Sequence, residues 1–533
     1  MPTLRINNKD ITVEKGTTII QAAEKLGYQV PHYCYHPGLS IAGNCRMCLV
    51  EVEKMPKLQI SCHIQCQDGM VVHTETEKVK KTRQHVLEFL LVNHPLDCPV
   101  CDQAGECGLQ DYYMEHGRYD SRLNEPKVKK KKAVPIGPHV ILDSERCILC
   151  SRCIRFCDEI PKTGEFGIFN RGDHSEIGLY PGKELTNAYS GNVVDICPVG
   201  ALTDRDFRFK CRVWYLKKAD SVCTGCARGC NISLEVNTER PQHGHGERVM
   251  RIKPRYQPEV NKWWICDEGR YGYKTIDHGR LTDPIFRSDR EIKTLSWEEV
   301  IGSVAGEFEK NLKDQSKIAV LLSPQLSNEA LFTAKKLFVR DLKLSQVYLA
   351  SPNKPGFQDD ILIRADKNPN RKGAEILGFS EDQKKTEQLI DWALQGKIKV
   401  LYLFGQDLIS LLASKNVLEA LRKVGCTVFH GTNVNLTSEQ SQITIPAASY
   451  AESEGTFTNF EGKVQSFEQA LFPIGNARSD VEILTLLANQ LGFSWPDLSL
   501  RETGDEMRRE IPEFRNVLAR VPYEEPYPEE MVH

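Results

Sequence analysis

The sequence predicts a multidomain chain that combines α+β and α/β parts, and three observations predict it. Its 533 residues allow three or more domains at roughly 100–200 residues each. Eighteen of its 19 cysteines fall within residues 34–266, with only Cys426 beyond them. From about residue 316 the texture changes to short apolar runs, KIAVLLS, VYLA, KVLYLFG and CTVFHG. Helical stretches such as NEALFTAKKLFVRDL and NVLEALRKVG lie between them. That alternation predicts a doubly wound α/β domain.

Composition narrows the function classes. The chain is 40% hydrophobic and 26% charged, with a net charge of -3. Near-neutral charge gives no reason to invoke nucleic acid. No run of about 18 apolar residues exists to span a membrane. MPTLRINNKDITVEKG lacks the basic, apolar and small-residue segments of a signal peptide, so a cytosolic or membrane-peripheral location is expected. In a reducing compartment the cysteine bias argues for metal sites rather than disulfides.

Along the chain, TLRIN and ITVEK flank an NNKD turn and read as a hairpin. TTIIQAAEKLG reads as an amphipathic helix with a glycine stop. Residues 79–92 carry helical periodicity. KVKKKKAV at 127–134, followed by PIGP, reads as an exposed linker, with an acidic partner as the alternative. No Gly-x-Gly-x-x-Gly follows the later strands, so no dinucleotide site is supported. The charged tail from about 499 reads as a helix and then an extended segment.

The cysteines sort into four ligand sets. Cys34, Cys45, Cys48 and Cys62 have the spacing C-x10-C-x2-C-x13-C, a close pair with distant partners that suits a ferredoxin-type 2Fe–2S cluster. Gly43 gives that loop a flexible approach, and Cys66 is the alternative fourth ligand. His94, Cys98, Cys101 and Cys107 form the second set. Three thiolates so close together need a metal, and His94 supplies what would otherwise be a missing fourth ligand to a 4Fe–4S cube. Zinc held by the same three cysteines and one histidine is the alternative. Cys147, Cys150 and Cys153, with the distant Cys-Pro at Cys197, follow the bacterial ferredoxin pattern for 4Fe–4S. Cys157 would serve a second cube whose other ligands are missing, and reads as a non-ligand. Cys223, Cys226, Cys230 and Cys266, spaced C-x2-C-x3-C-x35-C, suit 4Fe–4S or zinc. The count closes at 16 ligands, 15 cysteines and His94, leaving Cys66, Cys157, Cys211 and Cys426 as small buried hydrophobes.

These motifs carry a resemblance. Through NCRMCLVEVE, SCHIQCQDGM, NHPLDCPVCDQAGECGLQD, RCILCSRCIRFCDEI and NVVDICPVGALTDRDFRFK, residues 1–215 resemble the large iron–sulfur subunit of bacterial respiratory complex I, the NADH:quinone oxidoreductase. CTGCARGCNISLEV, CDEGRYGY and IPAASYAESEGTFTNFEGKVQ make residues 216–475 resemble the molybdopterin oxidoreductases. The resemblance implies a β-grasp 2Fe–2S ferredoxin-like domain at 1–78, a histidine- and cysteine-ligated 4Fe–4S domain at 79–118, a linker at 119–137 and a 4Fe–4S ferredoxin-like domain at 138–215. A 4Fe–4S domain of molybdopterin-oxidoreductase type at 216–272, a shortened α/β domain of the same type at 273–498 and a tail at 499–533 would follow. It implies one 2Fe–2S and three 4Fe–4S clusters on the sets above. The implied partners are a flavin-bearing, NADH-oxidising subunit and other peripheral-arm subunits, with membrane contact only through them, at the cytoplasmic face of the bacterial inner membrane. No independent catalytic site is expected.

Two departures from the active molybdenum enzymes exclude a molybdopterin from this expectation. Glu268 stands where those enzymes carry a cluster-to-pterin Lys, and only Cys426 is available downstream as a metal ligand. A free carboxylate there would repel a polyanionic pterin by about 1–4 kcal/mol at roughly 4 Å. The rival readings are a molybdenum formate dehydrogenase, the iron–sulfur subunit of an NAD-linked hydrogenase, and a structural zinc scaffold.

Overall fold

The computed structural model describes residues 1–521 apart from 245, 289–290, 352–354 and 413–414; the end of the expected tail, 522–533, lies outside the described residues. The chain divides into two compact units, Met1–Leu216 and Lys217–Val521.

The first unit opens with the expected hairpin, β1 (Thr3–Ile6) and β2 (Lys9–Thr12), followed by helix α1 (Ile19–Lys25). With β3 (Leu49–Val52), β4 (Gln59–Ile60) and β5 (Val71–His73) it forms a five-stranded sheet of order β2-β1-β5-β3-β4. Leu4 and Ile6 alternate inward along β1 and pack with Ile19, Ile20, Ala22 and Ala23 of α1, so the sheet grasps the helix as a β-grasp fold does. The side chain of Gln21 accepts from the Thr18 backbone N–H at 3.0 Å and fixes the start of α1.

Helix α2 (Glu77–Leu91) starts where Thr76 Oγ1 accepts from the N–H of Val79. Helix α3 is Gly108–His116. Strands β6 (Val134–Pro135) and β7 (Val140–Leu142) lead to α4 (Arg152–Glu159), the hairpin β8 (Phe166–Phe169)/β9 (Glu176–Leu179), the short α5 (Asn192–Asp195) and β10 (Leu202–Asp204), which pairs back onto β7. The lysine run is tied down rather than a free linker. Lys127 Nζ donates to the carbonyls of Leu91 and Val92 at 2.7 and 3.0 Å, the N–H of Lys130 donates to Glu145, and Lys132 pairs with Asp97 and Glu145. The carboxylate of Glu145 is almost fully buried, and such a group requires cationic partners.

The second unit starts with an antiparallel sheet, β11 (Lys217–Val222), β12 (Asn231–Val236) and β13 (Val249–Pro254), and the short helix α6 (Asp267–Tyr271). Strands β14 (Ile285–Arg287), β15 (Ile292–Thr294), β16 (Ile318–Leu322), β17 (Val347–Leu349), β18 (Val400–Phe404), β19 (Cys426–Gly431) and β20 (Ile443–Pro446) form one seven-stranded sheet of order β15-β14-β20-β19-β18-β16-β17. Its five strands β17, β16, β18, β19 and β20 are parallel. Val320 and Leu322 pack into one core with the helices Trp297–Asn311, Asn328–Ala334 and Asp480–Gln490. Ala319 and Leu321 face the opposite core with the helices Gln383–Leu394 and Lys415–Lys423. Both faces of a parallel sheet are thus covered, which is why its strands read as unbroken apolar runs. The expected tail helix is Leu500–Glu510, capped by Ser499. Met507 and Phe514 are fully buried in the α/β core, so this unit runs well past residue 498. Among the described residues no helix is long and apolar enough to cross a membrane.

Candidate metal centres

The structure brings together the four cysteines of the first set. The thiol of Cys34 is held well below its usual range by hydrogen bonds from Cys45 and Cys62, while Cys48 is lowered to about 7, chiefly by Cys62. Cys66 is not part of this contact. Its thiol is raised by burial, and the other influences on it are its own backbone and Lys25. Gly43 adopts a left-handed φ of 59° in the loop that carries Cys45.

The second set lines one small cavity, with His94, Cys98, Cys101 and Cys107 on its walls. Cys98 is exposed, whereas Cys101 and Cys107 are buried. Burial, reinforced by Lys127 and Arg146, lowers the His94 imidazole to about 4, so it is neutral at physiological pH. Its buried Nδ1 has no hydrogen-bond partner among the described residues. A neutral imidazole is the form that binds metal. The third set lines another small cavity with Cys147, Cys150, Cys153 and Cys197. Cys157 is not among the residues that line it, and burial and then the neighbouring Glu165 push its thiol up.

The fourth set converges in the second unit. Cys223 donates its N–H to the carbonyl of Cys230 at 2.8 Å, and Cys266 caps α6. Burial and then the neighbouring thiolates raise the thiols of Cys223 and Cys230. Contrary to the expectation of an uncompensated charge, Glu268 is paired. Its Oε2 lies 2.6 Å from Nζ of Lys367, a side chain only 12% exposed. Pairing offsets the carboxylate's charge, so the repulsion expected of a free Glu268 is weakened. Cys426 is 6% exposed at the start of β19, packed in the α/β core, and burial raises its thiol to about 12.

The donor sets fit iron–sulfur clusters. Each ligand loop contains left-handed backbone: Arg46 in the first, Gly105 in the second, Leu149 and Ser151 in the third, Gly229 in the fourth. Non-glycine residues adopt this conformation uncommonly. Successive N–H groups in such turns form concavities that hold anions, cluster sulfurs among them. Accordingly the N–H of Cys34 points at Cys45 Sγ, that of Leu149 at Cys147 Sγ, that of Gly225 at Cys223 Sγ and that of Gly269 at Cys266 Sγ, each at 3.4 Å. Burial pushes Cys107 and Cys147 up to about 12 and Cys197 to about 11, so these thiols lose their protons only to a cation.

Sequence reasoning missed two features. The first is glycine at close range. A Cβ on Gly200 would lie 2.3 Å from Cys101 Sγ, and one on Gly269 would lie 2.9 Å from Cys223 Sγ. Gly200 follows Cys197 yet packs on the second set, a contact made by folding alone. The second is that the first three sets share a single hydrophobic cluster. Cys34 and Cys45, Cys107, and Cys147, Cys150 and Cys197 all belong to it, packed with Tyr33, Met47, Leu87, Tyr112 and Val199.

Comparison with known proteins gives the domain families and the relatives of the chain. Residues 1–77 match a 2Fe-2S iron-sulfur cluster binding domain, 83–122 the NADH-ubiquinone oxidoreductase-G iron-sulfur binding region, and 137–203 the ferredoxin-like domain of NADH-quinone oxidoreductase subunit 3. Residues 216–278 match the molybdopterin oxidoreductase Fe4S4 domain and 362–490 molybdopterin oxidoreductase. The G subunit of NADH-quinone oxidoreductase from Rickettsia bellii is 31% identical over 96% of this chain and 90% of its own. The mitochondrial NADH-ubiquinone oxidoreductase 78 kDa subunit of Candida albicans is 32% identical over 92% of this chain and 83% of its own. A solved NAD+-reducing [NiFe]-hydrogenase chain is 28% identical over 40% of this chain and 91% of that one, at a TM-score of 0.36, too low to carry an argument. The chain carries 2Fe–2S and 4Fe–4S binding domains, and it belongs to the family of NADH-quinone oxidoreductase G subunits.

Proposed function

We propose that this chain is an electron-transfer subunit of an NADH:quinone oxidoreductase, relaying electrons from a flavin-bearing, NADH-oxidising subunit towards quinone. The observation that carries the reading is the single hydrophobic cluster that holds cysteines of three ligand sets in the first unit. Burial in shared packing fixes cluster sites in place and keeps them from water, both of which electron transfer requires. The assignment is one 2Fe–2S cluster on Cys34, Cys45, Cys48 and Cys62, and 4Fe–4S clusters on His94, Cys98, Cys101 and Cys107, on Cys147, Cys150, Cys153 and Cys197, and on Cys223, Cys226, Cys230 and Cys266. The domain boundaries at 78, 118, 137, 215 and 272 belong to the same proposal, with the α/β domain continuing past 498.

The clusters, when bound, supply one-electron redox chemistry. The chain's own residues hold them, direct backbone N–H groups at their sulfurs and bury them. No side chain is required as acid, base or nucleophile. No molybdopterin takes part in this reading. The burial of Cys426 in the core supports that, since it leaves no downstream thiol free for molybdenum. The chain would act beside partner subunits on the cytoplasmic face of a bacterial inner membrane and reach that membrane only through them.

A flavin partner is needed because flavins split hydride chemistry into single-electron steps. The cluster-loaded chain alone should pass no electrons from NADH or formate to an artificial acceptor, and NADH-dependent transfer should appear once the flavin-bearing subunit is added. Formate oxidation by the isolated chain, with stoichiometric molybdenum, would establish the molybdenum reading instead.

A further inference from the structure

The first and third ligand sets are joined by one guanidinium. Arg155 stands on α4, two residues after Cys153, and its side chain leaves the helix toward the loop that begins at Cys34. Nη2 donates to the carbonyl of Cys34, a ligand of the first set, and to the carbonyl of Cys150, a ligand of the third, at 2.5 and 3.4 Å. Nη1 donates to the carbonyl of Ser40, and Nε to Ser151 Oγ at 3.3 Å. One turn on, Glu159 accepts from the N–H of Ser40 at 2.9 Å and clamps the same loop to α4.

Every acceptor that Arg155 uses is an uncharged oxygen, and no carboxylate forms an ion pair with it among the described residues. Two of those oxygens are the carbonyls of Cys34 and Cys150, which places its charge beside both ligand loops. An arginine keeps its charge at any physiological pH. A half-buried cation without a carboxylate partner projects its field onto whatever negative charge lies nearest, and screening by water is weaker there than at the surface. Here that charge is two sets of cluster thiolates at once.

We propose that Arg155 is a shared cation of the first and third clusters, raising both midpoint potentials together. Reduction adds a negative charge to a cluster, and a fixed positive charge beside it favours that step. The proposal rests on Cys34 and Cys150 being iron ligands. Arg155 is itself a ligand of neither cluster. It acts through the ligand backbone and through its field, as a positioning residue.

The test is a redox titration of the full-length, cluster-loaded chain, followed by low-temperature electron paramagnetic resonance, for the parent, Arg155→Met, Arg155→Gln and Arg155→Lys. Removing the charge in the Met and Gln variants is expected to move the 2Fe–2S and third-set midpoints both to more negative values, with the His94-site signal left in place. Lys keeps the charge and is expected to stay near the parent. Should the Met variant fail to assemble, the Gln and Lys pair still separates charge from packing. Intact signals whose midpoints do not move, or movement of one cluster alone, would overturn the shared cation. If the parent lacks either signal, the ligand assignment fails first and the inference falls with it.

Discussion

Alanine at Gly200 is expected to empty the second centre while leaving the chain folded. The added Cβ would lie 2.3 Å from Cys101 Sγ and 3.2 Å from Gln103 Cβ. Both are inside the roughly 3.5–4.0 Å of ordinary van der Waals contact. Gly200 does not have a left-handed φ, so the backbone itself tolerates a side chain. The conflict therefore falls on the sulfur. Cys101 is buried and held between Gly200 and the wall of its cavity, so it relieves the clash by leaving its ligand position. Iron should drop from about 14 to about 10 per chain, the loss of one cube, with far-ultraviolet circular dichroism unchanged. Cys101→Ser should give the same loss. Full iron and an intact second-site signal in Gly200→Ala would show that Cys101 does not bind there.

The second large effect is on potential. His94→Cys is expected to keep a cluster at the second site and lower its midpoint. The imidazole is held neutral by burial, with an ionisation near 4, and a thiolate in its place adds a negative charge beside the iron. Rieske centres, with two imidazoles for two thiolates, lie far above plant-type ferredoxins, which suggests a drop on the order of 100 mV or more for one exchange. The reference is the same signal in the parent protein, titrated under the same conditions. An intact signal at an unchanged midpoint would remove His94 from the ligands.

Much of this was legible in the sequence because it is local. TLRIN and ITVEK alternate and became β1 and β2; KIAVLLS and KVLYLFG, with buried faces on both sides, became β16 and β18. The close cysteine pairs and triplets stood out because they lie within a few residues of one another, whereas Cys197 and Cys266 would join their sets from far along the chain. What escaped was made by folding over distance. Arg155 reaches Cys34, Lys367 reaches Glu268, and Gly200 presses on Cys101. None of these contacts leaves a periodicity or a spacing in the sequence. The lysine run misled for a related reason. Its partners, Asp97 and Glu145, come from other segments, so the charges looked solvated when several are paired. Left-handed backbone at Leu149 and Ser151 was likewise hidden, because neither residue is a glycine.

In this assignment 16 ligands hold four clusters. Low-temperature electron paramagnetic resonance, combined with iron and acid-labile sulfide analysis of the full-length chain, tests it most directly. About 14 iron and about 14 sulfide per chain are expected, with one 2Fe–2S and three 4Fe–4S signals. The fourth-set signal alone should disappear in Cys230→Ser. A colourless protein with stoichiometric zinc and no sulfide would contradict it.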